Sequence, residues 1–131
     1  MKELNEKQKA LLESVKTTKT NKGKSKMTAG DKYEIKMTHN GKTICFVYND
    51  NIYNKGDKND FLYALLVDAD AYESTKNTFE FCQAFGYDWN NKEERNKADE
   101  ILTACCRNAD KLQKLFTSAE LDMLHNIFED Y

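Results

Sequence analysis

The sequence predicts an α+β fold: one β-hairpin at about 33–48 packed on a bundle of about four helices, with an N-terminal helix on a lysine-rich tether. Three observations carry this. Asn40-Gly41 sits between two runs of alternating apolar residues, and this pair suits the two positive-φ positions of a type I′ hairpin turn. Downstream, apolar residues recur at steps of three and four over most of residues 57–131, the period of helices with one buried face. Upstream, residues 16–32 carry six lysines, one acid and almost nothing to bury.

In chain order, residues 1–16 form a helix with a thin apolar stripe of Leu4, Leu11, Leu12 and Val15. Residues 17–32 read as a basic, flexible linker, and a compact domain is expected over 33–131. The Asn40-Gly41 turn sets a register in which Tyr33 faces Tyr48, Ile35 faces Phe46 and Met37 faces Ile44 on one apolar face. The opposite face pairs Glu34 with Val47, Lys36 with Cys45 and Thr38 with Thr43, and is expected to be partly exposed. In the polar segment Asn49–Gly56, Ile52 and Tyr53 are expected to tuck under the hairpin.

Asp57 can cap a helix whose stripe is Phe61, Leu62, Leu65, Leu66 and Ala69, ending near Tyr72. Thr78 can cap a short helix with Phe81 and Phe85 on its buried face, stopped by Gly86, with Tyr87 folded back over Cys82. Asn90 or Asn91 opens a long helix running to about Phe116, its core face including Ala98, Leu102, Cys105, Ala109 and Leu112. Thr117 and Glu120 form a capping box for a last helix that buries Leu121, Leu124, Ile127 and Phe128.

At 131 residues the chain suits one domain, large enough to bury a core without covalent staples. Cys45, Cys82, Cys105 and Cys106 lie inside apolar patterns with no C-x-x-C pair, and the N-terminus lacks the apolar core of a signal peptide, so a cytoplasmic protein in a reducing compartment is expected. No apolar run is long enough to span a bilayer, which excludes a membrane-spanning role. The net charge of −2 conceals a separation: residues 1–56 carry 12 lysines against 6 acids, and residues 57–131 carry 8 basic residues against 16 acids. Such a dipole along the chain favours steering of a charged partner.

No catalytic constellation stands out, so the chain is expected to be non-enzymatic, with no cofactor. The four cysteines, His39 and His125 lack the paired spacing of a zinc site, and buried thiols account for them better. Glu34-Ile35-Lys36 matches half of a metal-dependent nuclease strand but lacks a second carboxylate. Lys16, Lys19, Lys22, Lys24 and Lys26 could contact nucleic-acid phosphates, although no aromatic residues are interleaved for base stacking. Asp68, Asp70 and Glu73 cluster near a helix C-terminus, where acids oppose the dipole, and they could face a partner. Tyr87, Asp88 and Trp89, with Glu80, are the remaining surface candidates, since an aromatic residue beside an acid suits an interface anchor. The competing assignment spends Tyr87 on the helix stop and Trp89 on interhelical packing.

From Tyr33 onward, the order of features resembles a family of small proteins of phages and prophages of gut and other low-GC bacteria. The likeness runs through Phe46–Asn54, Leu65–Ala69, the stretch Phe79–Asp88 (FEFCQAFGYD), Ala98, Ala104-Cys105, Leu115-Phe116 and Glu120-Leu121, about three-quarters of the chain. The resemblance implies a mobile-element setting, in which small accessory proteins, anti-CRISPR proteins among them, block host defences by binding. It therefore implies a partner such as a CRISPR effector nuclease, met by an acidic surface that competes with nucleic acid. Residues 1–32 are an addition to the family pattern.

Overall fold

A computed structural model describes residues 3–24, 31–48 and 57–129. The fold is α+β, and the described residues form a three-stranded antiparallel sheet and five helices. Asn40 and Gly41 adopt positive φ of 51° and 74°, and the turn joins β2 (Asp31–His39) to β3 (Lys42–Tyr48). The register is the expected one, pairing Tyr33 with Tyr48, Ile35 with Phe46, Met37 with Ile44 and Thr38 with Thr43.

The lysine-rich segment departs from expectation. Lys16–Lys24 is a strand, β1, paired antiparallel with β2 from Lys16↔Thr38 to Asn21↔Tyr33, so this part of the expected linker belongs to the sheet. An edge strand needs little to bury: β2 satisfies one side of its backbone, Thr17, Thr18 and Thr20 favour extended structure, and lysines are well tolerated at an edge. The ladder becomes irregular between Asn21 and Lys24, where Gly23 takes a φ of 96°. Residues 25–30, and the Ile52 and Tyr53 expected to tuck under the hairpin, lie outside the described residues.

The N-terminal helix α1 (Glu6–Ser14) is likewise part of the main body and not a tethered appendage. Its Leu11 and Leu12, with Val15 after it, are buried in the same core as Ile35, Met37 and Phe46 of the sheet. Lys58 reinforces the junction by donating Nζ–H to the carbonyls of Leu12 and Val15, a cation placed where the helix dipole favours one.

The remaining helices follow their caps. Asp57 and Asp60 form a reciprocal box at the start of α2 (Lys58–Thr75), which runs one turn nearly past its expected end at Tyr72. Asn77, and not Thr78, caps α3 (Thr78–Phe85): its side chain accepts from the Glu80 amide. Gly86 ends α3 with a φ of 79°, and the amides of Gly86 and Tyr87 both donate to the Cys82 carbonyl. Asn91 caps α4 (Lys92–Leu115), and the Thr117–Glu120 box caps α5 (Ser118–Ile127).

Two apolar clusters result. The main core joins α1, the inner sheet face, α2, the C-terminal half of α4, and α5. A small satellite of Phe81, Cys82, Ala98 and Leu102 joins α3 to the N-terminal half of α4, with Tyr72, Tyr87 and Ile101 packed against it.

Candidate functional site

Among the described residues, the α3–α4 corner holds three of the four exposed large apolar side chains, the other being Val67 on α2. Phe79 is 45% exposed, Phe85 52% and Trp89 37%, values far from those of the core. The rings of Phe79 and Trp89 meet edge to face at 5.4 Å, while Phe85 lies 4.5 Å from the buried Phe81. Helix geometry forces this display. Phe79 and Phe81 are two residues apart, roughly 200° around a helix, so both cannot face the satellite core. Phe85 returns to the side of Phe81, but the helix stops at the next residue and leaves it at the rim.

The corner is held by its own polar groups. The Asp88 amide donates to Glu94 Oε1 at 3.3 Å, the Asn90 amide to Asp88 Oδ1 at 3.0 Å, and the Asn91 amide to the Asp88 carbonyl at 3.1 Å. Arg95 lies over the Trp89 ring at 5.4 Å and donates from Nη1 to the Trp89 carbonyl at 3.2 Å. Thr78 donates its hydroxyl to Asp99 Oδ1, fastening the start of α3 to α4. An exposed aromatic pair is therefore presented on a fixed backbone, which lowers the ordering cost of any association.

The sequence candidates separate accordingly. Glu80 and Asp88 are exposed at this corner, Trp89 sits beside Phe79, and Tyr87 is half-buried, its ring stacked 6.0 Å from Phe81. Asp68 is turned to α4, where it accepts from Asn108 Nδ2 at 3.1 Å. Asp70 lies 3.9 Å from His125 Nδ1 on α5, and Glu73 is exposed near the end of α2. The acids of α2 thus face different neighbours. Phe85 was expected on the buried face of α3 and is instead exposed at its rim, and the 79/81 spacing was the signal that Phe79 had to face out if Phe81 faced in.

A second constellation had no precursor in the sequence. His39, buried at 3% exposure, lies with Nδ1 3.0 Å from Ser14 Oγ and Nε2 2.6 Å from Glu120 Oε2. The order serine–histidine–carboxylate matches that of a hydrolase, but the surroundings do not. Ser14 donates its hydroxyl to the Leu11 carbonyl at 2.6 Å, the back-bond of a serine in the last turn of a helix, so its proton is already engaged by the backbone. The C-terminus of α1 offers carbonyls where an oxyanion would need amides, and the ring packs on Phe116 at 4.9 Å. The trio clamps α1, β2 and α5 together. Burial raises the Glu120 pKa, but hydrogen bonds from the Thr117 amide and His39 outweigh it and hold the carboxyl below its ordinary value.

Cys105 and Cys45 are held in the protonated, weakly nucleophilic form. Burial, then Asp68, pushes Cys105 up to about 12, and burial with Glu34 raises Cys45. Among the described residues no group of three or more His, Cys, Asp or Glu side chains comes close enough to hold a metal ion. Nor is any described helix long and apolar enough to cross a membrane.

Of the candidate nucleic-acid lysines, Lys16 and Lys19 are exposed on β1, and Lys19 holds its Nζ 5.6 Å from the Phe61 ring. Lys22 and Lys24 lie in β1 by their backbone, and Lys26 falls outside the described residues. No protein-family model, curated protein or solved structure matches this chain.

Proposed function

We propose that the protein is a non-enzymatic binding protein of a phage or prophage that inhibits a host defence nuclease in the bacterial cytoplasm, in the manner of an anti-CRISPR protein. The observation that carries the binding role is the exposed Phe79–Trp89 pair held on a rigid corner. Aromatic anchors of this kind dominate interface energies when a partner desolvates them. Glu80 and Asp88 flank the pair, and the half of the chain that contains it carries 16 acids against 8 basic residues. An acidic surface around an aromatic anchor suits the basic groove in which a nuclease holds nucleic acid, where it would compete with phosphate charge. The resemblance of Phe79–Asp88 to phage accessory proteins supports the choice of a defence nuclease over other basic partners.

The test pairs a physical with a biological readout. Wild-type protein is expected to co-elute with a guide-loaded CRISPR effector, to reduce its DNA cleavage, and to restore phage plating on a CRISPR-active host. Phe79→Ser with Trp89→Ala should weaken binding by at least about 30-fold, the effect of losing roughly 2 kcal/mol of anchor energy, while the circular dichroism spectrum is retained. Recovery of no nuclease or defence protein from host lysate, together with unchanged plating, would overturn the proposal.

A further inference from the structure

Incorporation of the lysine-rich segment into the sheet creates a second surface, opposite in charge to the α3 corner. Residues 16–48 hold eight lysines against Asp31 and Glu34, of which Lys16 and Lys36, with Glu34, fall at described positions of one sheet face, whereas the chain beyond residue 57 is acidic. The strand registers divide the side chains between two faces. Ile35, Met37 and Phe46 turn inward to the main core, so the alternate positions turn outward.

The outward positions fall in rows across the sheet. One row is Lys16, Thr38 and Thr43; the next is Thr18, Lys36 and Cys45; a third begins with Thr20 and Glu34. Lys16, Thr18, Thr20, Lys36 and Thr43 are all exposed. Lys16 and Lys36 are diagonal neighbours, one strand and two residues apart, which places their Cα atoms on the order of 8 Å from each other by ordinary sheet dimensions. Thr38 and Thr43 hydrogen-bond to each other through their hydroxyls at 2.8 Å, fixing the row beside Lys16.

We infer that this outer sheet face binds the phosphate backbone of a nucleic-acid duplex, without reading its sequence. Paired lysines supply the counterion-releasing contacts and the threonine hydroxyls supply neutral donors to phosphate oxygens. Duplex is favoured over single strand because none of the described outward side chains is aromatic, so there is no platform on which unpaired bases could stack. Lys19, although part of the same basic segment, is directed to Phe61 on the inner side and is not one of the contacts. The inference is independent of the α3 corner and goes beyond the inhibitory role proposed for it.

Fluorescence anisotropy with labelled 20-base-pair DNA and RNA duplexes, and with a single strand of the same length, tests it on the full chain. At 50 mM salt the wild type should bind at least one of the duplexes, and whichever is bound more tightly identifies the source of the backbone. Lys16→Gln with Lys36→Gln should weaken binding about tenfold and flatten the salt dependence by about 1.8 in log–log slope, the share of two phosphate contacts. Lys92→Gln with Lys97→Gln, which removes two exposed charges from α4, should leave both quantities unchanged. Absence of duplex binding, tighter binding of the single strand, or an equal loss in the two double variants would overturn the inference.

Discussion

The two apolar clusters of this chain meet different ends. The main core buries 17 residues drawn from α1, the sheet, α2, α4 and α5, and its largest side chains are almost wholly enclosed. The satellite at the α3–α4 corner buries four, yet the same corner exposes Phe79, Phe85 and Trp89. Apolar residues in the first cluster are explained by folding alone. Those at the rim of the second have realised only part of their hydrophobic gain, because 37–52% of each remains in water and the rest of the gain requires a further surface.

The sharpest way to break this contrast is to truncate one side chain from each region. Leu62→Ala or Leu124→Ala, at positions with no solvent exposure, should cost about 3 kcal/mol or more through lost burial and the residual cavity. Phe79→Ala should cost under about 1 kcal/mol, since 45% of the side chain is already in water. Urea titrations of the three variants measure the difference. A Phe79→Ala loss as large as that of Leu62→Ala would make the aromatic pair a structural element and remove the basis for an anchor.

A smaller effect concerns how the main core is tied to the chain terminus. His39→Ala removes a buried ring together with its hydrogen bonds to Ser14 and Glu120 and should cost about 2 kcal/mol, more than the removal of any single exposed side chain at the corner. The clamp also carries a pH signature. The folded-state pKa of Glu120 is depressed, so its contribution is present above its ordinary value of 4.5 and is lost as pH falls through the lower folded value. Wild type should therefore exceed Glu120→Gln in stability at pH 6, and the gap should close on acidification below about pH 4.5. A gap that stayed constant from pH 6 to pH 3 would show that the carboxylate contributes nothing to the clamp.

The two regions also differed in how far the sequence revealed them. The hairpin register, the Asp57 cap, the Gly86 stop and the Thr117–Glu120 box were legible because each depends on residues within a few positions of one another. Strand β1 was not, since its lysines and threonines carry no apolar alternation and its extended form is stabilised by pairing with β2. The His39 clamp joins positions 14, 39 and 120, a juxtaposition that only the tertiary fold creates. At the corner, Trp89, Asp88 and Glu80 were identifiable as surface candidates, but Phe79 was masked by the apolar density around it. Apolar residues crowd Thr78–Trp89, and only the angular spacing of Phe79 and Phe81 distinguishes the side chain that faces out.

The mildest perturbation sharpens the contrast by acting on backbone conformation alone. Gly86 ends α3 at a φ of 79°, and a Cβ there would meet nothing within 4 Å, so Gly86→Ala adds conformational strain without a steric clash. The cost should be about 1 kcal/mol, the preference of a left-handed position for glycine. Because α3 leans on only four buried residues, that cost should fall on local opening of the corner. Native-state hydrogen exchange should show faster exchange at the amides of Gly86 and Tyr87, which donate to the Cys82 carbonyl, while the amides of Ile35 and Met37 keep rates set by global unfolding. Equal acceleration in both sets would mean that the satellite and the main core open as one cooperative unit, and that the aromatic corner is as firmly integrated as the sheet.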